Sequence, residues 1–142
     1  MLVKDNDALD AMMMRWGGAE EASAFLTGKK LPIINAAALN AIRSRSNDYG
    51  CMFTKVKNDR IASHYSESTI PTALTLGDYF GCSGKEVMIN EIAGQDLAAR
   101  ILYTFSVRWP VDMLLVSSVT TAVASKFYKL NSVEYFWRLD IF

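Results

Sequence analysis

An all-α fold is the prediction for this sequence, and three observations carry it. Apolar residues recur at helical spacing in one segment after another, and those segments open on acidic, hydroxyl or proline positions. Several of them stop at glycine. One stretch, Met113 to Lys129, is apolar almost all round and is expected to be the central, most buried helix.

The elements follow in order. Asp7 can cap a first helix with Leu9, Met12 and Met13 on its apolar side, and Gly17-Gly18 ends it after Trp16. The run of methionines reads as filling for gaps in the core. Ser23-Ala24-Phe25-Leu26 before a Thr-Gly turn makes at best a short strand or an extended arm. Pro32 suits the first turn of a second helix, through Ile33, Ala36, Ala37, Leu39, Asn40 and Ile42, which Asp48 closes. A polar, basic loop of about fifteen residues is expected next, up to His64. Ser66, Ser68 and Thr69 offer hydroxyl caps for a third helix with Pro71 in its first turn, and Gly81 ends it. Ser83-Gly84-Lys85-Glu86 is a capping-box pattern. It starts a long fourth helix with Val87, Met88, Ile92, Leu97, Ile101 and Leu102 on buried faces and an end near Phe105. After the apolar fifth helix, Ser132 can cap a last segment carrying Tyr135, Phe136, Trp137, Ile141 and Phe142, an aromatic end that wants a partner surface.

With 142 residues the chain fits one compact domain, 1–142. Fifteen basic and fifteen acidic side chains cancel, so the basic stripe of a nucleic-acid binder is missing. Lys55, Lys57 and Arg60, interrupted by Asp59, read as a solvated loop. Cys51 and Cys82 have neither zinc-site nor disulfide-framework spacing, and reduced thiols in a cytoplasmic protein are expected. No secretory signal opens the sequence. The longest uncharged run, thirteen residues between Asp112 and Lys126, is short of the roughly twenty that span a bilayer, so no membrane partner is expected.

The stretch to search for chemistry is Ser46–Leu74, which holds Asp48 and the single histidine, His64. One carboxylate and one imidazole at a pocket mouth are the minimum for proton transfer, although any surface loop can carry such a pair. Arg43 and Arg45 lie at the carboxyl end of the second helix. There they cap and solvate it, or one of them faces a carboxylate ligand. No Gly-rich phosphate loop, nucleophile elbow, paired cysteines or repeat is present.

Three stations carry a family resemblance: WGGAEEASAFLTGKKLP, AAALNAIRSRSNDYG, and HYSESTIPTALTLGDYFGCSGKEVMINEIAGQDLAARI. In their order they resemble the MmgE/PrpD family: its glycine pair and glycine-basic turn, its alanine-rich helix ending in an Asp-aromatic-acidic motif, and its His-x-Ser, Pro-Thr-Ala-Leu and long-helix run. Members include 2-methylcitrate dehydratase, cis-aconitate decarboxylase and iminodisuccinate epimerase. The resemblance covers about residues 16 to 130. It implies a helical domain framing a pocket for small di- or tricarboxylic acids, with no metal or other cofactor, and proton abstraction beside a carboxylate. It also implies Asp48 and His64 as catalytic residues, with Ser66 of the His-x-Ser motif on the substrate; an arginine on a ligand carboxylate rests on charge and position.

Three departures go with it. Gly50 stands where relatives carry a second acid, and no histidine occurs at Arg108–Asp112. The later lysine and histidine positions, and the α+β lid domain of relatives, have no counterpart. The expectation is therefore a truncated lyase- or isomerase-family protein, incomplete as a catalyst alone and a homo-oligomer through its uncovered apolar faces. The alternative is a non-catalytic helical module for binding or assembly.

Overall fold

The structure, a computed structural model, describes residues 7–46, 50, 53–56, 59–62, 64–105, 112–131 and 134, with the backbone alone at 7, 53–56, 59–62, 101–105 and 112–118. Among the described residues the chain forms helices α1 (Asp7–Trp16), α2 (Ile33–Arg45), α3 (Ser66–Phe80), α4 (Gly84–Phe105) and α5 (Asp112–Phe127). Two antiparallel two-stranded sheets accompany them: β1 (Ala22–Ala24) with β2 (Lys29–Leu31), and β3 (Phe53–Val56) with β4 (Asp59–Ala62). The fold is mainly helical, as predicted. The second hairpin corrects the expected loop, since Phe53 pairs with Ala62 and Val56 with Asp59. A four-residue strand of mixed polarity gives too short an alternating pattern to announce itself.

Local chemistry fixes the helix ends. Gly81, at φ 63°, lets Cys82 N–H reach the Gly77 carbonyl (2.9 Å) and its own N–H reach Asp78 (3.2 Å), which closes α3 in a Schellman turn. The capping box forms, with Glu86 Oε2 accepting from Ser83 N–H at 2.8 Å and Ser83 Oγ from Glu86 N–H at 3.3 Å. Those Ser83 bonds hold the Glu86 carboxyl below its ordinary range. The start of α3 differs from expectation. Ser68 and Thr69 N–H both donate to the Tyr65 carbonyl, so Ser66 is already helical and Pro71 sits inside the helix, past its first turn. Pro32 likewise precedes α2, at its N-cap, where Glu21 Oε2 accepts from Ile33 N–H at 2.9 Å. Beyond α5, Asn131 and Glu134 cap each other reciprocally, the role expected of Ser132. Ser132 and the aromatic end 135–142 lie outside the described residues, as do Cys51 and Lys57.

Two apolar clusters meet along α2 and α3. One joins Met13, Ala22, Ala24, Leu31, Ala36 and Leu39, and the other Ala73, Leu76, Val123 and Phe127, with Ile33 packed against both. Met13 is buried but Met12 faces outward, because adjacent helical positions are about 100° apart. In α5 the described side chains Val119, Ala122, Val123, Ser125 and Phe127 are buried. The centre of the fold is nevertheless α3, which packs against α2, α4, α5 and β1. Small, polar side chains such as Thr69, Thr72 and Thr75 occupy that centre, so apolarity alone points to α5 and passes over α3. Met88 and Ile92 of α4, expected inside, are exposed beside Ile89.

A fully buried amide ties these layers together. Asn40 Oδ1 accepts from Phe25 N–H at 2.7 Å, while its Nδ2 donates to the Ser23 carbonyl (3.0 Å) and to Thr75 Oγ1 (2.9 Å). At the far end of α3, Asp78 accepts from Ser23 N–H at 2.8 Å. The first hairpin is thereby held to α2 and α3, and the opposite ends of the two helices are left to form a cleft.

Candidate functional site

Where α2 ends and α3 begins, four polar side chains gather. Arg45 closes α2, and His64 immediately precedes Tyr65 and the α3 residues Ser66 and Glu67. Arg45 Nη1 donates to Glu67 Oε1 at 2.8 Å and lies 3.3 Å from His64 Nδ1. His64 Nδ1 is itself 3.8 Å from Glu67 Oε1. An imidazole, a guanidinium and a carboxylate thus share one corner.

Their exposure differs in a useful way. The Arg45 side chain is 47% exposed and His64 15%, whereas Glu67 is at 5%. Burying a carboxylate is costly unless it is paired, and Arg45 supplies the pair through Oε1. Glu67 Oε2 is buried without a hydrogen-bond partner. Glu67 also lines a cleft of about 390 Å³, together with Ser44, Gly50, Ser66, Ile70, Pro71 and Gln95. Behind it, Glu91 Oε1 accepts from Thr69 Oγ1 (2.8 Å) and Gln95 Nε2 (2.6 Å), which anchors the Gln95 side of the cleft to α3.

Of the residues that the sequence singled out, Arg45, His64 and Ser66 come together here, with Ser66 lining the cleft. Arg43 is placed elsewhere: its guanidinium pairs with Asp10 of α1. Two helical positions are about 200° apart, so Arg43 and Arg45 cannot serve the same face. Asp48 lies outside the described residues, as does the segment 106–111. Glu67 was not anticipated. Its signals were an acid in the first turn of a helix, three positions after the only histidine, and a glycine at position 50. Among the described residues no group of three or more His, Cys, Asp or Glu could hold a metal ion, and no helix is long and apolar enough to cross a membrane.

Fold and geometry together give a helical domain in which an imidazole and a guanidinium stand beside a buried carboxylate that lines a small cleft. The family model for the MmgE/PrpD N-terminal domain matches residues 5–139. This chain therefore belongs to the MmgE/PrpD family and consists of that N-terminal helical domain over nearly all its length. No curated protein and no solved structure matches it at a significant level.

Proposed function

We propose that this chain binds small di- or tricarboxylic acids at the α2–α3 cleft, as a single cytoplasmic helical domain related to lyases and isomerases. The observation that carries this reading is that Arg45 and His64 meet at the buried Glu67, which together with Ser66 lines the cleft. In this reading Arg45 draws the ligand carboxylate by charge-assisted hydrogen bonds. Ser66, at the amino end of α3, adds a hydroxyl where the helix dipole also favours an anion. His64 takes or returns a proton on the carbon next to that carboxylate, since imidazole is the side chain that exchanges protons near neutral pH. Asp48 is assigned the partner carboxylate from its place in the family motif. Arg43, tied to Asp10, has a supporting role in holding α2 to α1.

Turnover of such acids needs several oriented groups at once, and removing one preorganised donor costs on the order of a hundredfold in rate. Among the described residues, one imidazole and one guanidinium stand beside the cleft's Glu67. We therefore propose that the chain binds its acid without turning it over unaided. Calorimetric titration with citrate tests the reading: saturable binding is expected, weakened at least about tenfold in Arg45→Ala, a change of about 1.4 kcal/mol. No saturable heat in the wild-type chain would overturn it.

The exposed side chains Met88, Ile89 and Ile92 along α4 favour a second reading, a non-catalytic assembly module that ignores citrate. Both readings include a homo-oligomer in which such faces meet. Light scattering checks that part, with a dimer or larger species expected.

A further inference from the structure

We propose that Glu67 is the positioning residue of this cleft, and that Gly50 is the vacancy into which its carboxylate reaches. A side chain at position 50 would begin 1.5 Å from Glu67 Oε1 and 2.1 Å from its carboxyl carbon. Real atoms never approach so closely without a bond, so only a residue with no Cβ can stand there while Glu67 keeps its place. The carboxylate of this corner comes from α3. That close approach accounts for a glycine at position 50.

Glu67 holds two things in place. Its Oε1 fixes Arg45 Nη1 at 2.8 Å, which keeps the guanidinium of a half-exposed, flexible side chain beside His64 Nδ1. Its negative charge, 3.8 Å from the same ring nitrogen, offsets the positive charge of the guanidinium, which can only donate and so meets Nδ1 as an acceptor. Burial keeps this carboxylate from being screened by water, so its hold on both partners is stronger than that of a surface acid. The other oxygen, Oε2, is buried without a hydrogen-bond partner, on a side chain more than nine-tenths buried that lines the cleft.

This proposal rests on the ligand reading only for what the cleft is for, and its test does not need the ligand. The chain has a single histidine, so its ring nitrogens give one unambiguous set of ¹⁵N signals, and slowed rotation of the Arg45 guanidinium is visible in the same spectra. In Glu67→Gln, with folding verified by circular dichroism, the His64 ring signals should move and guanidinium rotation should become at least several-fold faster. In Gly50→Asp/Glu67→Ala, with the carboxylate moved to position 50, both signatures should revert toward those of the wild type. Gly50→Asp alone, which puts two carboxylates in one corner, should displace the Glu67 side chain and move the His64 and Arg45 signals as well. Unchanged His64 and Arg45 signals in folded Glu67→Gln would overturn the proposal, and so would failure of the relocated carboxylate to restore them. A citrate titration that fails while these signatures behave as expected would remove the ligand reading and leave the positioning role standing.

Discussion

Asn40 and Glu67 are both withdrawn from solvent along the seam between α2 and α3, at 0% and 6% exposure. Asn40 uses its amide fully, accepting one hydrogen bond and donating two, so that α2, α3 and the β1 backbone are fastened at one point. Glu67 satisfies one oxygen with Arg45 and leaves the other without a partner beside a cleft. A saturated buried amide rigidifies a fold, and a buried acid with an oxygen to spare adds little stability. The same pair of helices thus presents a fastening in one place and a cleft lined by an incompletely bonded acid in another.

The largest expected effect falls on the fastening. Asn40→Ala removes three hydrogen bonds and strands Phe25 N–H and the Ser23 carbonyl in or near the interior, while Thr75 Oγ1 keeps its bond to the Pro71 carbonyl. Each stranded buried group costs about 1–3 kcal/mol, and a total loss of about 3 kcal/mol or more is expected in urea unfolding. A loss below about 1 kcal/mol would break the comparison, because the seam would then not depend on this amide.

Much of the fold could be read from the sequence where the determining residues are close together. The span of α1, the glycine stop after α3 and the capping box at Ser83–Glu86 each depend on residues within about one turn. The β3–β4 hairpin, the central place of α3 and the reciprocal cap at Asn131 escaped, the first two because they depend on pairing and packing that no local pattern encodes. The site divides in the same way. His64 and Ser66 stood out through their motif, and Arg45 through its place at the end of a helix. Choosing Arg45 over Arg43 required knowing that Asp10 of α1 claims the latter. Glu67 depends on Arg45, 22 positions away, and on the space left at Gly50, so its role belongs to the tertiary structure alone.

A middle-sized effect should appear in acid at the fastened end. The Asp78 carboxyl is held below the usual carboxylate range, chiefly by hydrogen bonds from Ser23 and to a lesser degree by the charge of Lys30. A group whose folded pKa is depressed adds stability above its unfolded value, and that stability is lost as pH falls through the folded pKa. The contribution is therefore complete at neutral pH and fades only below its ordinary value of 3.8. Asp78 is partly exposed, so after allowance for solvent screening the contribution is below about 1 kcal/mol. Asp78→Asn should flatten the acid limb of a pH–stability curve in that window, and an unchanged limb would show that β1 is held without it.

The smallest expected change in stability is at the site itself, and it sharpens the comparison most. Glu67→Gln keeps the shape of the side chain and an oxygen able to accept from Arg45, while it removes a buried charge whose second oxygen has no partner. The lost ion pair destabilises the fold, and the relieved burial of charge offsets that loss. Arg45, being half exposed, is left in water and not stranded in the interior. The two terms are comparable, so unfolding free energies of Glu67→Gln and the wild type should agree within about 1 kcal/mol. Asn40→Ala, at a site of similar burial, should lose at least about three times as much. A loss at Glu67 equal to that at Asn40 would mean that the acid fastens the helices as the amide does, and the cleft would then lose its claim to be the part of the seam kept for a ligand.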